Sequence, residues 1–351
     1  MPDDTPAAAP RGWPTAPLFS VVLATRDRPQ LFDEALASVL AQQGAAFEVI
    51  VVNDGSSPAN LSAYQPIWER AAHALGPRFA AHTLVHRPKG HGQSYSLNYG
   101  AAQARGEYLC FLDDDDKWTD PGHLARAAQA LADAAAEGLT ADLYMANQDA
   151  WVNDSQRLGT LWLGTLAAEL RGRGQQPDAR GTFRVGVQDL MASTGFCHLN
   201  CLTVRRAVFE QAGGMDEGIR WECDRDLFLK LIETSRCMLH HPAVVSYHRV
   251  PDPTKALNMT TAMGMLDKRL LQTLVLDRAV IRTRHPAIRR HAQQHKGFAL
   301  KKMATELAAA GDWAGASFYA RQALGAAPGL KWALFTAQCV VRSAWARPVR
   351  A

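Results

Sequence analysis

Three apolar runs constrain this chain more than any other feature: Phe19–Thr25 (FSVVLAT), Phe47–Asn53 (FEVIVVN) and residues 108–112 (YLCFL). None alternates polar with apolar, so each reads as a strand covered on both faces, as in a parallel sheet. Helical stretches lie between them. In residues 29–43, Leu31, Ala35, Leu36, Val39 and Leu40 share one face, and Pro29 stands in the first turn, where a helix tolerates it. A helix running to about Leu75, a short strand at 82–85, a Gly-rich loop at 89–93 and a helix at 94–105 complete the pattern. Strand–helix alternation with short links predicts a mostly parallel α/β sheet with helices on both faces. Ligands of such sheets bind beyond the carboxyl ends of the strands. That rule gathers residues 25–28, 54–56 and 113–116 on one carboxylate-rich rim.

The second half is less regular. Strands are expected at 143–147, 202–204 and 244–248, with a helix at 227–232. Beyond about Leu257 the pattern is helical and Ala-rich. Residues 298–330 read as a helical hairpin turned at Gly311-Asp312, like one tetratricopeptide unit without a clear second copy. The 351 residues are 47% hydrophobic and 21% charged. This excludes a disordered chain, a collagen-like fibre and a disulfide-stapled scaffold. The closest pair of the six cysteines, Cys197 and Cys201, has no Cys/His pair at zinc-site spacing after it, so reduced thiols are expected rather than a zinc site. Residues 1–17 read as a loose Pro/Ala-rich tail, not a secretory signal, and no run approaches the ~18 apolar residues of a membrane span. The expected location is the cytoplasm, at most on the inner surface of the plasma membrane.

Four elements carry chemistry. The first is Asp113-Asp114-Asp115-Asp116, directly after a buried strand. Like charges crowded there raise one another's pKa, a cost that a divalent cation removes. Alternate residues of an extended chain share a face, so Asp113 and Asp115 are expected to point together, as oxygen ligands suited to Mg²⁺ or Mn²⁺. The bland reading is a solvated acidic turn. The second is Asp54, able to bind a ribose hydroxyl or base N–H, or merely to shape a turn. The third is the loop 89–93 with Asn98 and Gly100, where two glycines let backbone approach a ligand closely. It matches neither the dinucleotide fingerprint nor the P-loop. The fourth is the stretch 213–226, in which a glycine pair and an acid cluster precede an apolar helix. A carboxylate at that helix N-terminus would be ionised and able to take a proton, or would be a plain cap.

Together, in this order, these elements resemble the family-2 glycosyltransferases of the GT-A fold. VVLATRDRP is similar to that family's opening strand and turn, and VIVVNDGSS to its nucleotide-contacting strand end. GQSYSLNYGAAQARGEYLCFLDDDDKW is similar to its loop, helix, strand and metal motif, and GGMDEGIRWECDRDLFLKL to its acceptor-side segment. The likeness covers about residues 18–250. It implies a GT-A catalytic domain at 18–254, with a nucleotide-binding half at 18–118 and an acceptor half at 119–254, before a basic helical region at 255–351. It implies that Asp54 binds the nucleotide base, helped by Thr25 and Arg26. Asp113 and Asp114 would lie near ribose and diphosphate, and Asn98 would join the nucleotide-binding set. Asp115 would be the main Mn²⁺ or Mg²⁺ ligand beside Asp113, with His248 a third ligand or a structural histidine. Asp224 would be the catalytic base of an inverting, metal-dependent transfer from a nucleotide-sugar donor, a UDP-sugar first, to a glycan or lipid-linked acceptor.

Two departures stand out. Cys223 replaces the glutamate of the family's Glu-Asp pair, which makes Glu222 a rival base. The motif of chain-polymerising members is absent. Trp118, Trp151, Trp162 and Trp221 are candidates to stack on acceptor sugars, or are core. The alternative reading is a non-catalytic sugar-nucleotide or glycan-binding protein on the same fold. From Lys255 onward the chain has 16 Lys/Arg against 4 Asp/Glu, while the remainder has 22 against 30. An anionic partner for the tail is implied. Residues 331–350 mix an apolar stripe with four bases and no acid, so they either lie on an anionic membrane or pack on the catalytic domain. Nucleic acid is disfavoured, because the core is acidic and the tail holds no known module.

Overall fold

The computed structural model describes residues 16–345 apart from 153, 194 and 251–262. Its strands are β1 (Phe19–Thr25), β2 (Phe47–Asn53), β3 (Phe79–Thr83), β4 (Tyr108–Phe111), β5 (Lys117–Trp118), β6 (Leu143–Val152), β7 (Gln156–Leu161), β8 (Phe183–Val185), β9 (Leu202–Arg205) and β10 (Met238–Val250). They form one sheet in the order β3-β2-β1-β4-β9-β6-β10-β5, with β7 on β6 and β8 on β10.

The first four strands are mutually parallel. Every residue of β2 and β4 is buried, as continuous apolar runs require. Burial of each Val, Leu, Ile or Phe there contributes about 1.5–3 kcal/mol. The helix Gln93–Gln103 packs on the face bearing Val22, Ile50 and Val52. A Cβ on Gly100 would stand 2.5 Å from the Val22 side chain, so only glycine permits this approach. Thr25 registers with Asn53 and Asn53 with Thr83, which sets the carboxyl ends on one rim. β3 lies earlier than the sequence pattern places it. It is an edge strand with half-exposed residues, so burial left no clear period to read.

The second half of the sheet is mixed. β9 is antiparallel to β4 and β6, and β10 is parallel to β6 but antiparallel to β5 and β8. Two consequences matter. Antiparallel β9 carries residues 198–200 back to the carboxyl end of β4. Pairing of Ser246 with Trp118 sets the end of β10 beside residue 116.

Beyond the sheet lie helices Met265–Arg282, Pro286–Ala309, Trp313–Ala326 and Leu330–Trp345. The expected hairpin turns at Gly311, whose φ of +82° favours glycine, and Asp312 caps the next helix by accepting from Gly315 N at 2.8 Å. These helices have small cores of their own, built on Ala304, Ala316, Ala320 and Cys339 and on Leu300, Met303 and Ala323. They are tied to the sheet domain by Arg278–Asp216 and by Glu233, which accepts from Thr283 and Arg284. The expected boundary at 254/255 lies outside the described residues.

Candidate active site

The run after β4 does not continue as an extended strand. Asp116 N donates to Asp113 O at 3.2 Å, closing a turn with Asp114 and Asp115 at its corner. The turn decides which carboxylates meet. Asp113 and Asp116 converge with His198, their ligand atoms all within 4.8 Å of one another. Asp114 and Asp115 turn instead to Arg28, at 2.5 and 2.7 Å. The expectation that Asp113 and Asp115 share a face is therefore corrected by a turn. Asp116 meets Asp113 instead, and Asp115 pairs with Arg28.

Each neighbour has a definite role. His248 Nδ1 donates to Asp116 Oδ2 at 2.7 Å, and Asn200 Nδ2 donates to the same oxygen at 2.6 Å. Arg249 N donates to Asp116 Oδ1 at 2.7 Å. His248 thus stands behind Asp116, outside the converging group, and its ring lies 5.1 Å from that of His198. Asp113 accepts from Gln93 Nε2 at 2.6 Å, and Cys223 Sγ in turn contacts Gln93 Oε1 at 3.7 Å.

The electrostatics follow from crowding. Burial, then the carboxylates of Asp116 and Asp115, push Asp113 well above the usual carboxylate range. Burial lifts Asp114 to about 7 against the pull of Arg28. Asp115 is also raised, by burial and by Asp116. Asp116 goes the other way: burial opposes its charge, but the His248 imidazolium outweighs it. Reciprocally, Asp116 lifts His248 to about 9 despite burial. Burial drops His198 to about 4, so it is a neutral imidazole with a lone pair to offer.

Asp224 lies in the first turn of the helix Cys223–Thr234. His198 Nε2 stands 3.8 Å from both Asp224 Oδ2 and Asp113 Oδ2. The rival acid faces elsewhere: Glu222 pairs with Arg225 and accepts from Gln272 Nε2 at 3.3 Å. Glu222 also adopts a left-handed backbone with φ +62°.

Asp54 is buried and fully engaged. It accepts from His91 N and Gly92 N at 2.8 and 2.9 Å and from His91 Nδ1 at 2.7 Å. Arg26 holds the same loop by donating to Arg87 O at 2.7 Å. A Cβ on Gly90 would meet Arg26 at 2.2 Å and Asp54 at 2.4 Å. Thr25 contacts the Tyr64 hydroxyl at 2.8 Å. Asn98 does not face the rim. It donates to Met215 O and accepts from Met215 N, both at 2.9 Å, and so clamps the loop 213–217.

Residues 20–213 match the family model "Glycosyl transferase family 2". The chain belongs to that family. Succinoglycan biosynthesis protein ExoW of Rhizobium meliloti is 28% identical over 210 residues, 56% of this chain and 57% of that protein. Two other curated relatives are matched over less, so that this chain spans 29% and 34% of their lengths. Staphylococcus aureus TarS 1–349 in complex with UDP-GlcNAc superposes with a TM-score of 0.59 at 14% identity, covering 93% of this chain and 88% of that one. The mannosyltransferase PcManGT of Pyrobaculum calidifontis, in complex with GDP-Man and Mn²⁺, gives 0.54 at 17% identity, over 95% and 87%. These structures share the GT-A fold with this family member.

Several residues of the family's rim escape a sequence reading. His198 and Asn200 lie between Cys197 and Cys201, the pair that draws attention to zinc. Arg28 follows the opening strand, and its role emerges only from the fold, which sets Asp114 beneath it. Of the tryptophans, Trp118 is core, buried and donating to Asn200 O at 2.8 Å. Trp162 stacks on His198 at 5.0 Å and stands edge-on to His248 at 5.1 Å. Its φ is +59°, and Gly195 makes room for it, since a Cβ there would stand 2.1 Å from Trp162 O. Trp151 stacks on Tyr247, and Trp221 lies under Lys268.

Proposed function

We propose that this chain moves a sugar from a nucleoside-diphosphate donor, a UDP-sugar first among them, to an acceptor hydroxyl with inversion, in building a bacterial surface glycan. One observation carries the reading. Asp113, after β4, and Asp224, at a distant helix N-terminus, flank the same His198 nitrogen at 3.8 Å each. A binding protein has no need of the second carboxylate. The succinoglycan name of one relative supports the pathway class, and the UDP-GlcNAc and GDP-Man complexes of the structural neighbours support the donor class.

The residues fit Mn²⁺ or Mg²⁺. Asp113 is a part-exposed carboxylate crowded by its neighbours, Asp116 is held ionised, and His198 is neutral, a donor set of two oxygens and a nitrogen. When bound there, a divalent ion would offset charge gathering on the diphosphate leaving group, worth several kcal/mol, roughly.

The chain's own groups do the rest. Asp224 takes the proton of the acceptor hydroxyl as that oxygen attacks the anomeric carbon, a role worth on the order of 10²–10⁴-fold. Asp54 holds the 89–93 loop against the base end of the donor, Thr25 and Arg26 line that end, and Arg28 keeps Asp114 and Asp115 from repelling the diphosphate. Trp162 offers a ring face to a sugar. A glycan or lipid-linked acceptor fits this arrangement. The test is release of nucleoside diphosphate from UDP- and GDP-sugars with and without Mn²⁺. Turnover that needs the metal and is lost in Asp224→Asn is expected. Metal-independent turnover, or an Asp224→Asn variant as active as the parent, contradicts the reading.

A further inference from the structure

The last helix, Leu330–Trp345, has two apolar faces and a use within the fold for only one. On the inner face Thr336 and Cys339 are buried, and Trp332 Nε1 donates to Ala320 O at 3.0 Å. The outer face carries Leu330, Leu334, Val341 and Trp345, which are 81%, 66%, 49% and 85% exposed. At 3.6 residues per turn these four side chains fall within about 60° of arc, with Ala337 between them. Singly exposed apolar residues are ordinary, but a continuous stripe of this kind marks a surface that binds something.

Charge selects the occupant. Lys331 and Arg342 lie along one edge of the stripe, and the helix contains no acid. The guanidinium of Arg342 lies 4.5 Å over the Trp313 ring, which holds it at the edge of the stripe. A second copy would bring the same bases to meet Lys331 and Arg342, with no carboxylate on its stripe to pair with them. Anionic lipid supplies both an apolar layer for the stripe and negative headgroups for its basic edge.

We propose that the outer face of Leu330–Trp345 docks on the surface of an anionic bilayer, with Leu330, Leu334, Val341 and Trp345 entering the headgroup–acyl boundary and Lys331 and Arg342 meeting headgroup phosphates. The proposal does not rest on the transferase reading, because it concerns a surface remote in sequence from the rim and is tested without any donor. Docking of this kind would hold the enzyme where a lipid-linked acceptor lies, which gives the basic tail a function.

The experiment is vesicle flotation of the full chain, with phosphatidylcholine alone and with an equimolar mixture of phosphatidylcholine and phosphatidylglycerol, at low and high salt. Flotation with the mixed vesicles only, weakened by salt, is expected. The double variant Leu334→Glu/Trp345→Glu should lose at least about tenfold in partitioning, since the binding strength follows buried apolar area. Both sites are exposed, so its thermal midpoint should match the parent and certify folding. Lys331→Glu alone should weaken partitioning by a smaller factor. Absence of flotation at any salt, or stripe variants that float as the parent does, overturns the proposal. A dimer in sedimentation velocity that Leu334→Glu disperses also overturns it, and assigns the stripe to a second copy.

Discussion

Asp54 and the Asp113–Asp116 turn sit on one rim, after the parallel strands β2 and β4 on either side of β1, with Asp54, Asp114 and Asp116 buried and Asp113 and Asp115 part-exposed. Asp54 meets three donors of one loop, His91 N, His91 Nδ1 and Gly92 N. The turn after β4 packs four carboxylates against Arg28 and His248, and three of the four are pushed up as a result. Position on the fold is the same, and the number of acids per available cation is not. A satisfied buried carboxylate is suited to orienting a ligand. A cluster short of positive charge is suited to holding a cation, because the ion removes a cost the fold has already met.

The comparison can be broken by substitution. The largest effect is expected at Asp224→Asn, which should cut turnover by on the order of 10²–10⁴-fold with little change in the KM for the donor, read from nucleoside-diphosphate release. An equal loss in Glu222→Gln with Asp224→Asn active would transfer the base role to Glu222. Next, adding Mn²⁺ should raise the thermal midpoint of the parent, since a ligand of the folded state alone stabilises by mass action. Chelation should reverse the rise, and Asp116→Asn should abolish it. Asp54→Asn should act differently, raising the donor KM by roughly tenfold, as loss of one charge-assisted hydrogen bond does, while leaving the Mn²⁺ shift intact. If Asp54→Asn also removed the shift, the two ends of the rim would be one site and the contrast would fall.

The smallest effect concerns stability and pH. His123 and His240 are buried, and burial lowers each to about 4. Unfolded histidine titrates near 6.5, so between these values the unfolded chain binds more protons than the folded one. Stability from keeping both neutral is complete above about pH 6.5 and is lost as pH falls toward 4. Urea midpoints across this range should decline, and His123→Phe should make the decline shallower. A flat profile in the parent would mean that water reaches these rings.

Much of this architecture is legible in the residues. The strands β1, β2 and β4 and the rim they build follow from unbroken apolar runs, and Asp54, Asp113 and Asp224 follow from where those runs and the helix begin or end. What escapes is non-local. That Asp116 rather than Asp115 meets Asp113 depends on a turn closed by one backbone hydrogen bond. His198 and Asn200 reach the site because β9 runs antiparallel to β4, and Asn200 meets Asp116 from 84 positions away. Asn98 shows the converse: its place beside a Gly-rich loop suggests ligand contact, yet its amide is consumed by Met215. Single-strand periodicity carries no information about such pairings.

On the proposed reading, the crowded end of the rim takes a divalent cation and the Asp54 end does not. Calorimetric titration of Mn²⁺ into the full chain tests it most directly, with Asp113→Asn and Asp54→Asn alongside. One binding event is expected in the parent, with its loss in Asp113→Asn and its survival in Asp54→Asn. Binding that persists in folded Asp113→Asn, or that vanishes in Asp54→Asn, would contradict it.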